Sequence, residues 1–317
     1  MAIPDALAQR LKVPAIQSPM FLASNPDLVA ACCRAGVLGT FPALNARTTQ
    51  AFRDRIGEVR DRLSESPDAA PFGVNLVVHA SNTRLQADLD VICAEKVPLV
   101  ITSLGAVPDV VRRVQAHGGL VFHDVINRRF AQKAAQAGVD GIIAVAAGAG
   151  GHAGTINPFA LMAEIRSVFD GCLVLGGSIN TGADIAAARM AGADLAYMGT
   201  RFLATQEAGI APGFKQMIVE TGASDILYTP AISGVAANFM RPSIVQSGLD
   251  PDNLPDHGKL DIDSEAKAWR DVWSAGHGVG GISDVPAAEV LCHRLAREYQ
   301  AAIAAQADRD LGDGFAR

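Results

Sequence analysis

Short, nearly continuous apolar runs alternate along most of this chain with longer stretches in which apolar residues recur at helical spacing. Runs that lack the strict alternation of a half-exposed strand read as strands buried on both faces. Eight are found, over residues 14–20, 37–41, 72–78, 99–103, 119–123, 141–147, 173–175 and 195–198. Between them the spacing predicts helices over 25–35, 48–63, 82–95, 109–117, 129–137 and 182–191. Asn25 before Pro26 supplies a cap and a proline in the first turn, Gly36 supplies a stop, and Thr48 supplies a second cap.

Strand and helix alternate without a break past the six units of an open doubly wound sheet, which predicts a closed (β/α)8 TIM barrel. The strand ends of such a barrel form one face, so Met20, Asn75, His123, His152, Gly177 and Thr200 are expected to converge there. From residue 206 the rhythm stops. The stretch 206–279 contains Pro212, Pro230, Pro242, Pro251 and Pro255 and is polar and turn-rich over 248–259. It is predicted to be a smaller, mainly helical lobe inserted after the last barrel strand and covering the barrel mouth, with a lateral decoration as the alternative. A terminal helix over 286–305, with Leu291, Leu295 and Tyr299 on one face, should return to the barrel wall. The expected division is therefore 1–205 plus 280–307 for the barrel, 206–279 for the lobe and 308–317 for a frayed tail.

Composition narrows the function classes. With 317 residues, 49% of them hydrophobic, the chain has material for one large core. Aromatics make up only 5%, and 27 basic against 33 acidic residues give a net charge of −6, which argues against nucleic-acid binding. No apolar run reaches the ~18 residues of a membrane span, and residues 1–5 do not resemble the start of a signal peptide. Five cysteines, Cys32, Cys33, Cys93, Cys172 and Cys292, show no C-x-x-C spacing and read as free thiols, so a cytoplasmic, reducing location is expected. The histidines show no metal-ligand spacing, and no metal is expected.

The candidate chemistry lies in Gly148-Ala-Gly-Gly-His-Ala-Gly154, directly after the apolar run 141–147. Glycines there let the backbone approach a flat ligand while His152 is held over it. A lone histidine after glycines also fits a packed turn residue. Gly176-Gly-Ser178 and Gly199-Thr200, at the last two strand ends, occupy the positions where many such barrels hold a phosphate. Arg201 could add charge there or pair with a carboxylate.

Gln17-Ser-Pro-Met20, Gly73-Val-Asn-Leu76, Gly150-Gly-His-Ala-Gly154, Gly176-Gly-Ser-Ile179, Ala191-Gly-Ala-Asp194, Met198-Gly-Thr-Arg-Phe202 and Trp273-Ser-Ala-Gly276 with Val279-Gly280 together resemble the nitronate monooxygenase family, formerly 2-nitropropane dioxygenases. The resemblance spans nearly the whole chain in the family's order. It implies noncovalent FMN at the barrel mouth, with the phosphate toward Gly177, Ser178, Gly199 and Thr200, the ring toward Met20 and Asn75, and Asp124 and Gly151 as further cofactor-binding residues. It implies His152 as the catalytic residue and Gly276 as a closing contact from the lobe. The implied reaction is oxidation of alkyl nitronates by O2 to a carbonyl compound and nitrite, the redox chemistry being the cofactor's.

Three positions depart from the family pattern. Asp124, in Phe122-His-Asp-Val125, falls where some relatives carry a lysine near the flavin. Ser178 stands where relatives read glycine, and His277 where glutamine is common. His123 is a further candidate for substrate or flavin contact, with a buried structural residue as the alternative, and His79 for substrate contact at the entrance, with a solvated loop residue as the favoured alternative. The alternative function is an NAD(P)H-dependent FMN reductase acting on quinones or enoyl thioesters; no Gly-x-Gly-x-x-Gly opens a helix after the first strand. A non-redox phosphate-binding barrel would want a Schiff-base lysine at a strand end, whereas Lys96, Lys133 and Lys215 fall on helices or their ends. The oligomeric state is open, a homodimer being one option.

Overall fold

The computed structural model describes residues 3–254 and 271–312, the side chains of 309–312 excepted. Eight parallel strands close into a barrel: β1 (Ala15–Gln17), β2 (Leu38–Pro42), β3 (Gly73–Val77), β4 (Leu99–Ser103), β5 (Leu120–Val125), β6 (Gly141–Val145), β8 (Cys172–Gly176) and β9 (Leu195–Met198). The last of these pairs with the first, Tyr197 opposite Ile16, so the sheet has no edge. Each barrel strand falls on one of the eight apolar runs.

Strand periodicity sorts the side chains. Leu99, Ile101, Phe122, Ile143 and Leu195 pack together inside the barrel, while Val100, Val121, Ile142 and Ala196, one position away, pack in the cluster shared with the helices. Continuing the period of two toward the strand exits puts Asn75, Ser103, Asp124 and Tyr197 on the inner face. The barrel's apolar filling therefore ends in a polar layer.

The helices start where the cap chemistry says. Asn25 accepts from the Leu28 amide at 2.9 Å and Thr48 from the Ala51 amide at 3.1 Å. The helix Pro158–Arg166 is absent from the sequence reading, although Asn157-Pro158 repeats the Asn25-Pro26 signature and Asn157 accepts from the Phe159 amide at 3.0 Å. The terminal helix, Ala288–Gly312, presents fully buried Leu291 and Leu295 and half-buried Tyr299 to the barrel, where the backbone at Leu295 and Tyr299 leaves no room for a Cβ at Gly182. It reaches past residue 305, and 313–317 of the expected tail lie outside the described residues.

After β9 the chain forms helices Pro212–Glu220 and Arg241–Gln246 and two further strands, β10 (Ile226–Thr229) and β11 (Ala237–Met240). The two strands pair antiparallel, and β11 also pairs antiparallel with β7 (Gly151–His152), the short strand that leaves the barrel after β6. This three-stranded sheet is not legible in the 206–279 reading, because one of its strands comes from outside that stretch. Phe214 and Trp273 stack with centroids 4.9 Å apart in a second core with Leu203, Ile218, Met240 and Val279. Pro255, His257 and the remainder of 255–270 lie outside the described residues.

Candidate active site

A cavity of about 870 Å³ opens at the strand exits. Met20, Asn75, His123, Asp124, Gly151, His152, Gly177, Ser178, Gly199, Thr200 and Gly276 all line it. His79 does not: it stays on its loop with Nδ1 2.7 Å from Ser81 Oγ.

The loop carrying His152 is held from the lobe side. The Gly151 amide donates to Ser274 Oγ at 2.8 Å, Ser274 Oγ donates to the Asn238 carbonyl at 2.6 Å, and Asn238 Nδ2 donates to the Ala149 carbonyl at 2.7 Å. Tyr228 donates its hydroxyl to the Ala153 carbonyl at 3.0 Å, and the His277 amide donates to the Gly148 carbonyl at 3.0 Å. A Cβ on Gly276 would stand against the Gly148 carbonyl and 2.7 Å from the Gly150 amide nitrogen, so only glycine lets the two segments approach this closely. The Gly276 amide itself donates to Thr200 Oγ1 at 2.9 Å, tying this contact to the end of β9.

The end of β8 has the backbone that a phosphate cradle would require. Gly177 has φ +140°, and Ser178 has φ +56°, the left-handed region that glycine occupies freely and serine rarely. The serine thus adopts the conformation that a glycine would supply, its Oγ lying toward the Gly148 carbonyl at 3.5 Å. Arg201 takes no part in the cradle. Its buried guanidinium is turned to the Asp284 carboxylate at 3.0 Å and the Ala204 carbonyl at 3.2 Å, so the carboxylate pairing is the alternative realised. A phosphate here would be met by backbone and by Ser178 and Thr200 hydroxyls.

Across the floor of the cavity runs a polar chain. Asn75 Nδ2 donates to the Ile101 carbonyl at 3.1 Å and to Ser103 Oγ at 2.7 Å, and Ser103 Oγ donates to Asp124 Oδ2 at 2.6 Å. Burial pushes the Asp124 carboxyl up to about 6, partly offset by the Ser103 hydrogen bond and by His152. Tyr197, raised first by burial and then by Asp124, keeps its phenol proton. His123 is buried with Nδ1 2.8 Å from Thr102 Oγ1, and burial lowers it to about 4, so it is neutral near pH 7. Sequence reading missed Ser103 and Tyr197. The signal was available in the period of two, since Ser103 shares a face with Leu99 and Ile101, and Tyr197 with Leu195.

The outer part of the cavity is apolar. Leu104, Ile126, Phe130 and Tyr228 are exposed along it, and Lys133, from the helix Arg128–Ala137, adds a cation. Among the described residues no cluster of histidine, cysteine and carboxylate could hold a metal, and no helix is long and apolar enough to cross a membrane. The five cysteines are free thiols; burial pushes Cys33 and Cys172 up to about 12.

The sequence profile of the nitronate monooxygenase family matches residues 80–255. A nitronate monooxygenase from Paraburkholderia phytofirmans is 30% identical over 92% of this chain and 93% of its own length. The (3aS,4S,5R,7aS)-5-hydroxy-7a-methyl-1-oxo-octahydro-1H-indene-4-carboxyl-CoA dehydrogenase of Rhodococcus jostii is 27% identical over 74% of this chain and 64% of its own. Among solved structures, a nitroalkane oxidase from Streptomyces ansochromogenes matches with a TM-score of 0.84 at 26% identity, covering 95% of this chain and 100% of that one.

Proposed function

Because the chain belongs to the nitronate monooxygenase family, whose members are flavin-dependent oxidoreductases, we propose that it binds FMN and uses O2 to oxidise alkyl nitronates to a carbonyl compound and nitrite. The observation that carries this reading is the convergence of His152 with two glycine-rich strand ends on one cavity. In this reading the phosphate lies against Gly177, Ser178, Gly199 and Thr200, and the ring lies toward Met20, Asn75, Asp124 and Gly151. The positive φ of Gly177 and Ser178 fits such a ligand. Bound FMN supplies the electron transfer involving oxygen.

This chain's own residues do the rest. His152, held over the cavity by β7, binds the anionic nitronate oxygens as a hydrogen-bond donor, or takes the α-proton when a neutral nitroalkane enters. The segment that carries Gly276 excludes water by closing onto the glycine loop. His123, neutral and buried, contributes a polar wall, and His79 has no part in the site. Purified full-length protein should be yellow, release FMN on denaturation, and consume oxygen with release of nitrite when given an alkyl nitronate. Oxygen uptake without nitrite, or neither, contradicts the assignment.

A second reading has its own observation. The apolar outer cavity with Lys133 gives more room than a small nitronate needs, and one relative is named a carboxyl-CoA dehydrogenase. An NAD(P)H-dependent FMN reductase acting on quinones or enoyl thioesters would use that room. Anaerobic mixing with NADH separates the two: fast bleaching of the flavin supports the reductase, and bleaching by nitronate alone supports the monooxygenase.

A further inference from the structure

Asp124 is the one carboxylate lining the cavity among the described residues, and the protein has fixed what each of its oxygens can do. The Ile101 carbonyl can only accept, so the nitrogen of the Asn75 amide must face it, and the same nitrogen donates to Ser103 Oγ. With its lone pair engaged in this way, Ser103 directs its single proton to Asp124 Oδ2 at 2.6 Å. Oδ2 is therefore a standing acceptor. Oδ1 is shielded from solvent and has no hydrogen-bond partner in the protein. A proton on Asp124 consequently resides on Oδ1.

We propose that Asp124 is a switchable charge at the cofactor site: it takes up one proton when the flavin ring enters the cavity and holds it on Oδ1. This rests on the FMN reading above. The carboxylate is poised for it, because burial already holds the carboxyl at about 6, and covering it with a ring that offers acceptor atoms and no charge pushes it further up. The ionisable groups that face Asp124 are His152 from β7, which favours the charged form, and Tyr197 from β9, which stays neutral; Ser103 is the polar neighbour on β4. The neighbouring positions of β6, Ile143 to Val145, carry no charge. No bond other than that to the proton is made or broken, and the proton comes from solvent.

The test measures proton uptake when flavin-free, full-length protein binds FMN, by calorimetry near pH 7 in buffers of different ionisation enthalpy. The FMN phosphate contributes alike to wild type and to Asp124→Asn, whose amide still accepts from Ser103, and the same pair in a His152→Gln background removes the imidazole's own protons from the difference. The wild type is expected to take up about one proton more than the variant, and its Kd for FMN to weaken up to about tenfold per pH unit above 6 relative to the variant. Ser103→Ala, which removes the donor favouring the charged form, should move this window to higher pH, an effect that a purely structural role would not produce. Equal proton uptake by wild type and Asp124→Asn, or a window unmoved in Ser103→Ala, overturns the proposal and leaves the FMN reading standing. Failure of the wild type to bind FMN at any pH overturns both.

Discussion

His152 stands opposite Ala237 in antiparallel register, so the residue proposed for catalysis is part of a sheet whose other two strands belong to the lobe. The barrel exit supplies the imidazole's place at the cavity, and pairing with β11 and the Ser274 hydrogen bond support its backbone from the other side. The imidazole and its support can be disturbed separately.

Removing the imidazole tests the first. His152→Ala should fold and bind FMN as the wild type does, because the backbone pairing of β7 survives, while kcat/KM for a nitronate falls by about 10²-fold or more, the range for a lost general acid or base. Steady-state oxygen uptake at several pH values reads this, together with the flavin absorbance.

Loosening the support tests the second. Ser274→Ala strips the Gly151 amide of its acceptor and the Asn238 carbonyl of its donor, leaving a part-buried amide unsatisfied. A loss of about 1–3 kcal/mol in stability is expected. If orientation of His152 is what Ser274 secures, kcat falls while KM changes little; a change confined to urea midpoint would show that Ser274 serves stability alone.

Two buried groups on β5 give stability an unusual dependence on pH. The folded chain holds a proton on Asp124 up to about 6, whereas an unfolded aspartate releases it near ~4, so this residue destabilises above pH 6 and the penalty is relieved as pH falls. His123 has the opposite sign: unfolded histidine takes its proton near ~6.5 and folded His123 only at about 4, so acid removes stability over that window. The two oppose each other between about 4 and 6. Asp124→Asn removes only the first, so the flavin-free variant should exceed wild type by up to about 3 kcal/mol near pH 8 and lose stability more steeply in acid. Thermal melts across that range check both slopes.

The ion pair behind the proposed phosphate cradle makes a structural prediction. Arg201 is 4% exposed and pairs with Asp284, which also binds Arg294 at 2.6 Å. Asp284→Ala leaves a buried guanidinium without its carboxylate and should destabilise by about 1–3 kcal/mol, less than a fully buried pair because Asp284 is itself 39% exposed. Since Arg201 faces away from the cradle, FMN affinity in the folded variant should stay within about threefold of wild type.

The barrel was legible because its strands are buried on both faces and its helices carry their caps, as at Asn25 and Thr48. The convergence of Met20, Asn75, His152, Gly177 and Thr200 followed from barrel geometry alone. What escaped was whatever depends on pairing between distant segments. The union of β7 with β10 and β11 leaves no periodic trace in a two-residue strand, and the Asn75, Ser103 and Asp124 chain arises only when three neighbouring strands bring their inner faces into register. The choice of Arg201 for Asp284 was likewise open until the chain after the lobe folded back.

The most direct test of the whole account is a crystal structure of the purified protein grown with FMN. Density for the flavin in the barrel-mouth cavity, its phosphate against Gly177, Ser178, Gly199 and Thr200 and its ring beneath His152, is the result expected. A cavity without flavin at saturating FMN, or a flavin with His152 turned away from its ring, would contradict it.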